Sequence, residues 1–409
     1  MPLQGKKRYH GKPMCLNLKS DKAVRCKSNR DESKSLENEF NAFFLKESDS
    51  LMKKYLTCNV FRAIKHRKTK FGSSLFDVIR SGLKNLDSSI GAYASDPCAY
   101  DVFADLFNPI IEEYHEGFNA DQIHPPTNWG DPTKLPNLDP TNKYVVSTRV
   151  RCARSVYDYP FNPKMEKEHY CEIQRKISKA LGNLEGDLKG TYQSLVSMDR
   201  VTKEKLISQH YLFKEGDRFL QEAGACSFWP AGRGIFYNAE KTLLAWCNEE
   251  DHLRLISMQE GSNLAEVYGR LVEAVTCLEK TITFARHERL GYLTFCPTNL
   301  GTTIRASVHI KLPNLSADLR QFKCIASTYN LQVRGTQGEH SDSTDGVYDL
   351  SNKRRLGLTE WEVLEEMSHG IMELIKREAN LEIEIEKSSA GLPSPARKTL
   401  STSSTSAAP

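Results

Sequence analysis

The run CPTNLGTTIRASVHIKLP, Cys296 to Pro313, places a thiol, a loop containing Gly301, an arginine and a histidine close together. Its second half alternates. Ala306, Val308, Ile310 and Leu312 fall on one face of a strand, and Arg305, Ser307, His309 and Lys311 on the other. Four strand steps separate Arg305 from His309, roughly 13 Å at ~3.3 Å per residue. That span suits a nucleoside triphosphate laid across a sheet, with phosphates at the arginine and base or ribose near the histidine. Locally, a half-buried strand with a solvated basic face reads the same way.

Other arginines repeat the theme. Ser147-Thr148-Arg149-Val150-Arg151 puts Arg149 and Arg151 on one strand face. Arg254 follows the acidic cluster Asn248-Glu249-Glu250-Asp251, and Arg334 begins Arg-Gly-Thr-Gln-Gly-Glu-His, a loop with Gly335 and Gly338. Guanidinium groups are planar, permanently charged donors that match phosphate oxygens in bidentate fashion. A phosphoryl group in flight is loose and anionic and needs several such clamps. For any single arginine a surface role is the simpler reading. There is no G-x-x-x-x-G-K-[ST] and no H-R-D or D-F-G set, so neither the P-loop nor the protein-kinase solution is present.

Residues 36 to about 120 carry helical periodicity, with stripes at Leu51, Met52, Tyr55, Leu56 and at Leu75, Val78, Ile79, Leu83. His124-Pro125-Pro126 and the turn-rich run to Pro140 read as a linker. Beyond Lys143, Tyr144 to Arg151, Leu243 to Trp246 and Leu253 to Met258 alternate as strands. Leu264, Val267, Leu271, Ala274 and Leu278 stripe a helix. A last helix starts at Thr359, where Thr359 and Glu362 form a capping box, and buries Leu364, Met367, Ile371 and Leu374. Neighbouring strands without regular βαβ alternation predict an α+β domain with an antiparallel sheet.

With 39% hydrophobic and 26% charged residues, and no apolar run of membrane-spanning length, the composition is that of a soluble globular protein long enough for two domains. Eleven cysteines without a C-x-x-C pair read as reduced cytosolic thiols, not a disulfide frame or zinc site. Residues 1–34 hold ten Lys/Arg against three acids, so this arm is +7 and the remainder carries −3 of the total +4. Such an arm reads as a disordered solvated extension; nucleic acid, an anionic membrane or an organelle importer are the competing partners. The cytoplasm is the expected compartment, and the basic arm leaves a mitochondrial address open. The stretch from Lys387 is Ser/Thr-rich and reads as a disordered tail.

These motifs together resemble the phosphagen (ATP:guanido) kinase family, and within it the arginine kinases. The resemblance runs through STRVR, FKEGDRFLQ, RGIF, NEEDHLR, CPTNLGTTIRASVHIKLP, RGTQGEH and DLSNKRRLGLTE, over about residues 36–382. It implies a small all-helical N-terminal domain (36–121), a linker (122–143) and a larger α+β domain (144–382) whose antiparallel sheet is flanked by helices. Residues 1–35 and 383–409 stand outside as extension and tail. The implied reaction is reversible, direct in-line transfer of the ATP γ-phosphoryl group to the guanidino nitrogen of L-arginine, giving phosphoarginine and ADP and so buffering ATP. MgATP and MgADP are the implied co-substrates, with Mg2+ held mainly by phosphates and water and no protein metal ligand. The partners are ATP and a small guanidino compound; neither membrane nor nucleic acid is expected, and the chain would be a monomer or homodimer.

By the same resemblance, Arg149, Arg151, Arg254, Arg305 and Arg334 are phosphate clamps, and Ser147, His210 and His309 lie nearer the nucleoside. The implied nucleotide contacts extend to Thr148, Val150, Ala306, Ser307 and Val308, and to a lid of Gly335, Thr336, Gln337, Gly338 and Glu339. Glu250 and Glu339 are the carboxylate pair that aligns the guanidinium and takes its proton, with Cys296, Arg254 and Arg305 completing the catalytic set. Taken alone, Glu250 reads equally as part of a solvated turn. A thiol before a proline and near arginines reads as a depressed-pKa thiolate, against the usual fate of a free cysteine as a buried core residue. Ser89, Ile90, Gly91, Ala92 and Tyr93 form the implied carboxylate-holding loop, with Asp87 and Arg218 as the ion pair that orders it.

Four departures from the family pattern stand out. Ser89 takes the place of a loop glycine and would be strained if that position needs positive φ. Ser227 stands for an arginine, Tyr237 for a histidine and Gln337 for a lid arginine. They leave open a kinase for another guanidino substrate such as taurocyamine, or a low-activity or non-catalytic nucleotide-binding paralogue.

Overall fold

The computed structural model describes residues 35–335 and 346–390. The basic arm, residues 336–345 and the chain beyond 390 lie outside the described residues. The larger part is built on ten strands: β1 Val145–Arg154, β2 Gly190–Ser194, β3 Gly234–Asn238, β4 Leu243–Cys247, β5 Leu253–Glu260, β6 Arg286–His287, β7 Gly291–Tyr292, β8 Arg305–Lys311, β9 Leu331–Gly335 and β10 Val347–Asn352. Eight of them form one antiparallel sheet in the order β2-β3-β4-β5-β1-β8-β10-β9, and β6 pairs β7 in a separate ribbon.

The alternation read in the sequence decides which face is which. Val150, Cys152, Leu253, Leu255, Ala306, Val308, Ile310 and Leu350 point to one side and are almost wholly buried. Against them pack helices Lys167–Leu181, Leu264–Glu279, Leu319–Ser327 and Glu360–Ala390, through Ile173, Ile177, Leu271, Ala274, Phe322, Leu364, Met367, Ile371 and Leu374. Each of the Leu, Ile, Phe and Met side chains among them contributes about 1.5–3 kcal/mol when taken from water. The Thr359 backbone N–H donates to Glu362 and the Glu362 N–H to Thr359 Oγ1, the reciprocal bonds expected of the capping box. The helix that follows runs through Ala390, past Lys387 where the polar composition suggested a tail. Leu381 to Lys387, rich in strong helix formers, carries it there.

The N-terminal part is helical: residues 35–44 and helices Leu51–Tyr55, Cys58–Ile64, Leu75–Lys84 and Ala104–Tyr114 surround a core of Met52, Leu56, Leu75, Val78, Ile79, Leu106, Phe107 and Ile110. That core does not end at the linker. It takes in Ala285, Leu290, Leu293, Phe295, Cys296, Leu300 and Leu356 from the sheet part. The Cys296 run is therefore packed from both sides. Gly301 is what lets it pass so close to the sheet: its φ is +84°, and a Cβ there would meet the Arg355 carbonyl at 2.4 Å. Among the described residues no helix is long and apolar enough to cross a membrane.

Three buried histidines sit along this seam. His252 accepts the Val156 N–H at Nδ1 and donates to the Pro160 carbonyl; His115 donates to the Pro297 carbonyl; His124 accepts the Gly357 N–H. Burial holds their basicity down, to about 3, about 3 and about 4 respectively. A folded-state value below the unfolded ~6.5 means the unfolded chain binds more protons between the two. This contribution is thus complete above pH ~6.5 and is lost as pH falls toward 4. Asp251, raised to about 7 by burial and then by Glu250, works in the opposite direction. A difference measurement isolates the histidine: His124→Asn, which keeps an acceptor for Gly357, is expected to lose less Tm than wild type between pH 7 and 5. Parallel Tm profiles for the two proteins would refute this.

Candidate active site

The polar face of the sheet gathers the arginines. In the β1–β8 register Arg149 lies opposite Ser307, Arg151 opposite Arg305, and Ser147 opposite His309. On β10, Asp349 lies opposite His309 and, across β9, opposite Arg334. Arg254 faces Ala153 from β5. Paired residues share a face, so five arginines from four strands project together. His210 lies exposed just beyond helix Arg200–Ser208 with φ +59°; burial first, with Arg149, Arg305 and then His210 adding to it, lowers the basicity of His309. Thr148, Val150, Ala306 and Val308 are corrected by the same register: their side chains enter the opposite, buried face, where Thr148 bonds the Gly261 carbonyl. They cannot present side chains to a nucleotide. Thr336, Gln337, Gly338 and Glu339 lie outside the described residues, and Gly335 closes β9 opposite Tyr348.

The arginines divide by partner. Arg254 bonds Glu249 at 2.6 Å and also Glu250; burial opposes its charge, but Glu249, Glu250 and Asp251 outweigh this and hold it above its usual range. Arg305 bonds Asp349 at 2.7 Å and Ser351 at 3.2 Å. Burial alone would raise the Asp349 carboxyl, yet Arg305 and His309 hold it below its usual range. Arg149 and Arg151 form no ion pair among the described residues. They are half-buried by surface area but enclosed by dense protein: burial first, then neighbouring guanidiniums, depress Arg149 to about 10 and push Arg151 well below its usual range. Arginine stays charged regardless; beyond burial, the neighbouring guanidiniums of Arg305 and Arg254 add a positive field at both residues. Such a field favours a polyanion.

At one end of this face a cavity of about 620 Å³ is lined by Ser88, Ser89, Ile90, Tyr93, Arg151, Glu250, Arg254, Cys296, Asn299, Arg334 and Arg355, among others. Glu250 is no solvated turn residue. One carboxylate oxygen meets Arg254, the other accepts from Asn299 Nδ2 at 3.3 Å, and its backbone carbonyl accepts from the buried Asn162 at 3.1 Å. Asp251 accepts the Phe295 N–H at 2.9 Å, tying the acidic turn to the cysteine loop. Cys296 departs from expectation. Burial, and then the Glu250 carboxylate, push its thiol up to about 12; only Thr298, 3.1 Å away, acts the other way. Arg254 and Arg305 bond carboxylates and Arg355 bonds Thr298 and Asn299, none of them the sulfur, so the protein's own surroundings favour the protonated thiol.

The 88–93 loop reaches the cavity from the helical part. Gly91, at φ +79°, gives its N–H to Ser88 Oγ, and the Ser89 and Ile90 carbonyls accept from Leu51 and Met52. Ser89 is not among the residues with positive φ, so the expected strain is absent. Ala92 is fully buried in the helical core and does not line the cavity, a second correction. Tyr93 stacks on Phe295 at 4.9 Å. Asp87 and Arg218 are ion-paired, as expected, but both are half-exposed and the pair contributes little by itself. Ser81, bonded to the Phe219 carbonyl at 2.8 Å, reinforces the junction.

Sequence reasoning missed Arg355, Asp349, Asn299 and Glu249. Arg355 is buried, lines the cavity and donates to the Thr298 carbonyl and Asn299 Oδ1. Its signal was present in NKRRLG, but nothing there separates Arg355 from the more exposed Arg354, which pairs with Glu366. Of the departures, Ser227 bonds the Gly224 carbonyl and Tyr237 accepts from Gln193 on the β2–β3 edge; neither lines the cavity.

A family model described as ATP:guanido phosphotransferase, C-terminal catalytic domain, matches residues 172–381, and one for the N-terminal domain of the same family matches 46–112. Arginine kinase of Plodia interpunctella is 59% identical over 346 residues, covering 85% of this chain and 98% of that protein. Arginine kinase of Artemia franciscana is 58% identical over 329 residues, 80% of this chain and 92% of that one. Among solved structures, the substrate-free duplicated taurocyamine kinase from Schistosoma mansoni matches with a TM-score of 0.81 at 42% identity, over 88% of this chain and 50% of that one. Lombricine kinase matches with a TM-score of 0.77 at 36% identity, over 82% and 94%.

Proposed function

The chain belongs to the ATP:guanido phosphotransferase family, and from that premise we propose that it moves the γ-phosphoryl group of ATP reversibly onto a guanidino nitrogen of L-arginine. The observation that carries the reading is the shared cavity. Arginines of the sheet face and the Glu250–Cys296–Asn299 corner line one space, with Ser89 and Ile90 at its rim. A phosphoryl donor and a guanidinium acceptor can meet there. We take residues 36–121 and 144–382 as the helical and catalytic units.

In the forward direction the guanidino nitrogen attacks the γ-phosphorus as the bond to the β,γ-bridging oxygen breaks, ADP leaves, and the nitrogen releases a proton to a carboxylate. Glu250, held by Arg254 and Asn299, is the acceptor this geometry supports; Glu339 is assigned as its companion. Arg149, Arg151, Arg254, Arg305 and Arg334 take the phosphates, and magnesium arrives as part of the nucleotide complex. Ser147, Ser307, His210 and His309 lie toward the nucleoside. Fixed alignment is worth roughly 7–11 kcal/mol of barrier, more than proton transfer adds. Cys296 enters as a thiol; a guanidinium bound beside it lowers the cost of the thiolate, whose proton passes to solvent water as the substrate docks. Ser89 and Ile90, whose N–H groups have no acceptor among the described residues, suit the amino-acid carboxylate.

The relatives at 57–59% identity are named for arginine, those at 36–42% for taurocyamine and lombricine, which favours arginine as acceptor. A coupled ADP-release assay over arginine, taurocyamine, lombricine and creatine tests this. Turnover with arginine at the highest kcat/KM is expected. A higher value with taurocyamine would move the substrate, and no turnover with any compound despite MgATP binding would sink the reading.

A further inference from the structure

The turn Pro297–Asn299 carries much of the chemistry yet has little regular structure of its own. Cys296 precedes it, Asn299 holds Glu250, and Arg355 grips it from the sheet side through Thr298 and Asn299. From the helical side, among the described residues, a single side-chain hydrogen bond reaches it. His115, the residue that ends helix Ala104–Tyr114, is wholly buried and donates from Nε2 to the Pro297 carbonyl at 2.9 Å. The carbonyl can only accept, so the imidazole is the neutral Nε2–H tautomer. Its other nitrogen, Nδ1, is buried without a hydrogen-bond partner among the described residues. An orphaned buried acceptor is unfavourable. An apolar ring of similar size would avoid it, so stability alone does not account for a histidine here. What the imidazole supplies that such a ring lacks is the Nε2 donor.

We propose that His115 is a positioning residue for phosphoryl transfer, using its bond to Pro297 to fix the turn that places Cys296 and, through Asn299, Glu250. The proposal rests on the kinase reading above. His115 itself touches neither reacting group; it lets the helical unit set the position of a turn belonging to the sheet unit.

The test uses the full chain. His115→Phe fills the ring volume without a donor, and His115→Gln keeps an N–H donor of similar reach. At saturating MgATP and arginine, H115F is expected to lower kcat by about ten- to a hundredfold, the scale of a ~1 Å misplacement. KM for ATP should stay unchanged, because the arginine face is held by the sheet. H115Q should recover most of the loss, with Tm of both variants close to wild type. A second readout needs no turnover: the iodoacetamide alkylation rate of Cys296, followed by peptide mass, should shift several-fold in H115F and return in H115Q. Should H115F fail to fold, H115N, whose amide stops short of the carbonyl, must show the same kcat loss. Wild-type kcat and alkylation in the donor-less variant, or equal impairment of H115Q and H115F, would overturn the proposal. Inactive wild-type protein would instead overturn the kinase reading, leaving alkylation to judge His115.

Discussion

Glu250→Gln is expected to lower kcat about a thousandfold while the protein stays folded. The side chain is positioned from both oxygens, by Arg254 and by Asn299, at the wall of the cavity. The amide keeps that shape but loses the charge that orients a guanidinium and accepts its proton. General-base assistance alone is worth ~10²–10⁴-fold, and loss of alignment adds to it. Folding is buffered because Arg254 keeps its 2.6 Å bond to Glu249. The measurement is steady-state kinetics with varied arginine, beside thermal unfolding. An unchanged Tm with kcat near wild type would show that Glu250 neither aligns nor deprotonates the substrate.

Arg151→Met is expected to have an equal or larger effect on activity and the opposite sign on stability. Arg151 forms no ion pair among the described residues, and Arg305, Arg254, Arg149 and Arg355 all act against its charge, after burial. Methionine retains the stem and removes a repelled cation, so Tm without nucleotide should hold or rise. Transition-state charge on the transferring phosphoryl then loses one clamp, a loss of ~10³–10⁵-fold where a single arginine has this role. Nucleotide linkage supplies an independent check. A ligand at a hundred times its Kd stabilises by about 2.7 kcal/mol, and this ATP-induced rise in Tm should shrink in R151M. A variant that is less stable without ATP, yet as responsive to it, would mean that Arg151 is a structural cation and not a clamp.

Much of this was legible beforehand because strand alternation and helix periodicity are local properties. Arg305 and His309 share a face whatever lies around them, and Val308 must then face the other way; extending the nucleotide contacts to Thr148, Val150, Ala306 and Val308 ignored that rule. The helical stripes at Leu75–Leu83 and Leu264–Leu278 were likewise buried as their spacing required. Ser89 and Cys296 were not readable in this way. Whether a serine is strained depends on the φ its neighbours impose, and whether a thiol ionises depends on which charges the fold brings to it. The arginines that should have stabilised a thiolate bond Glu250 and Asp349 instead.

The sequence by itself determined the sheet face on which the arginines lie, the helical character of the first part, and the resemblance from which the chemistry follows. Those depend on residue order and on interactions within a few positions. Only the tertiary structure decided which charges are balanced. Asp349, forty-four positions from Arg305, satisfies that arginine, while Arg149 and Arg151 have no carboxylate partner among the described residues. It also placed His115 behind Pro297, 182 positions away. Burial and pairing are set by non-local contacts, and a pKa or a hydrogen bond is a property of those contacts, not of the residue that carries it.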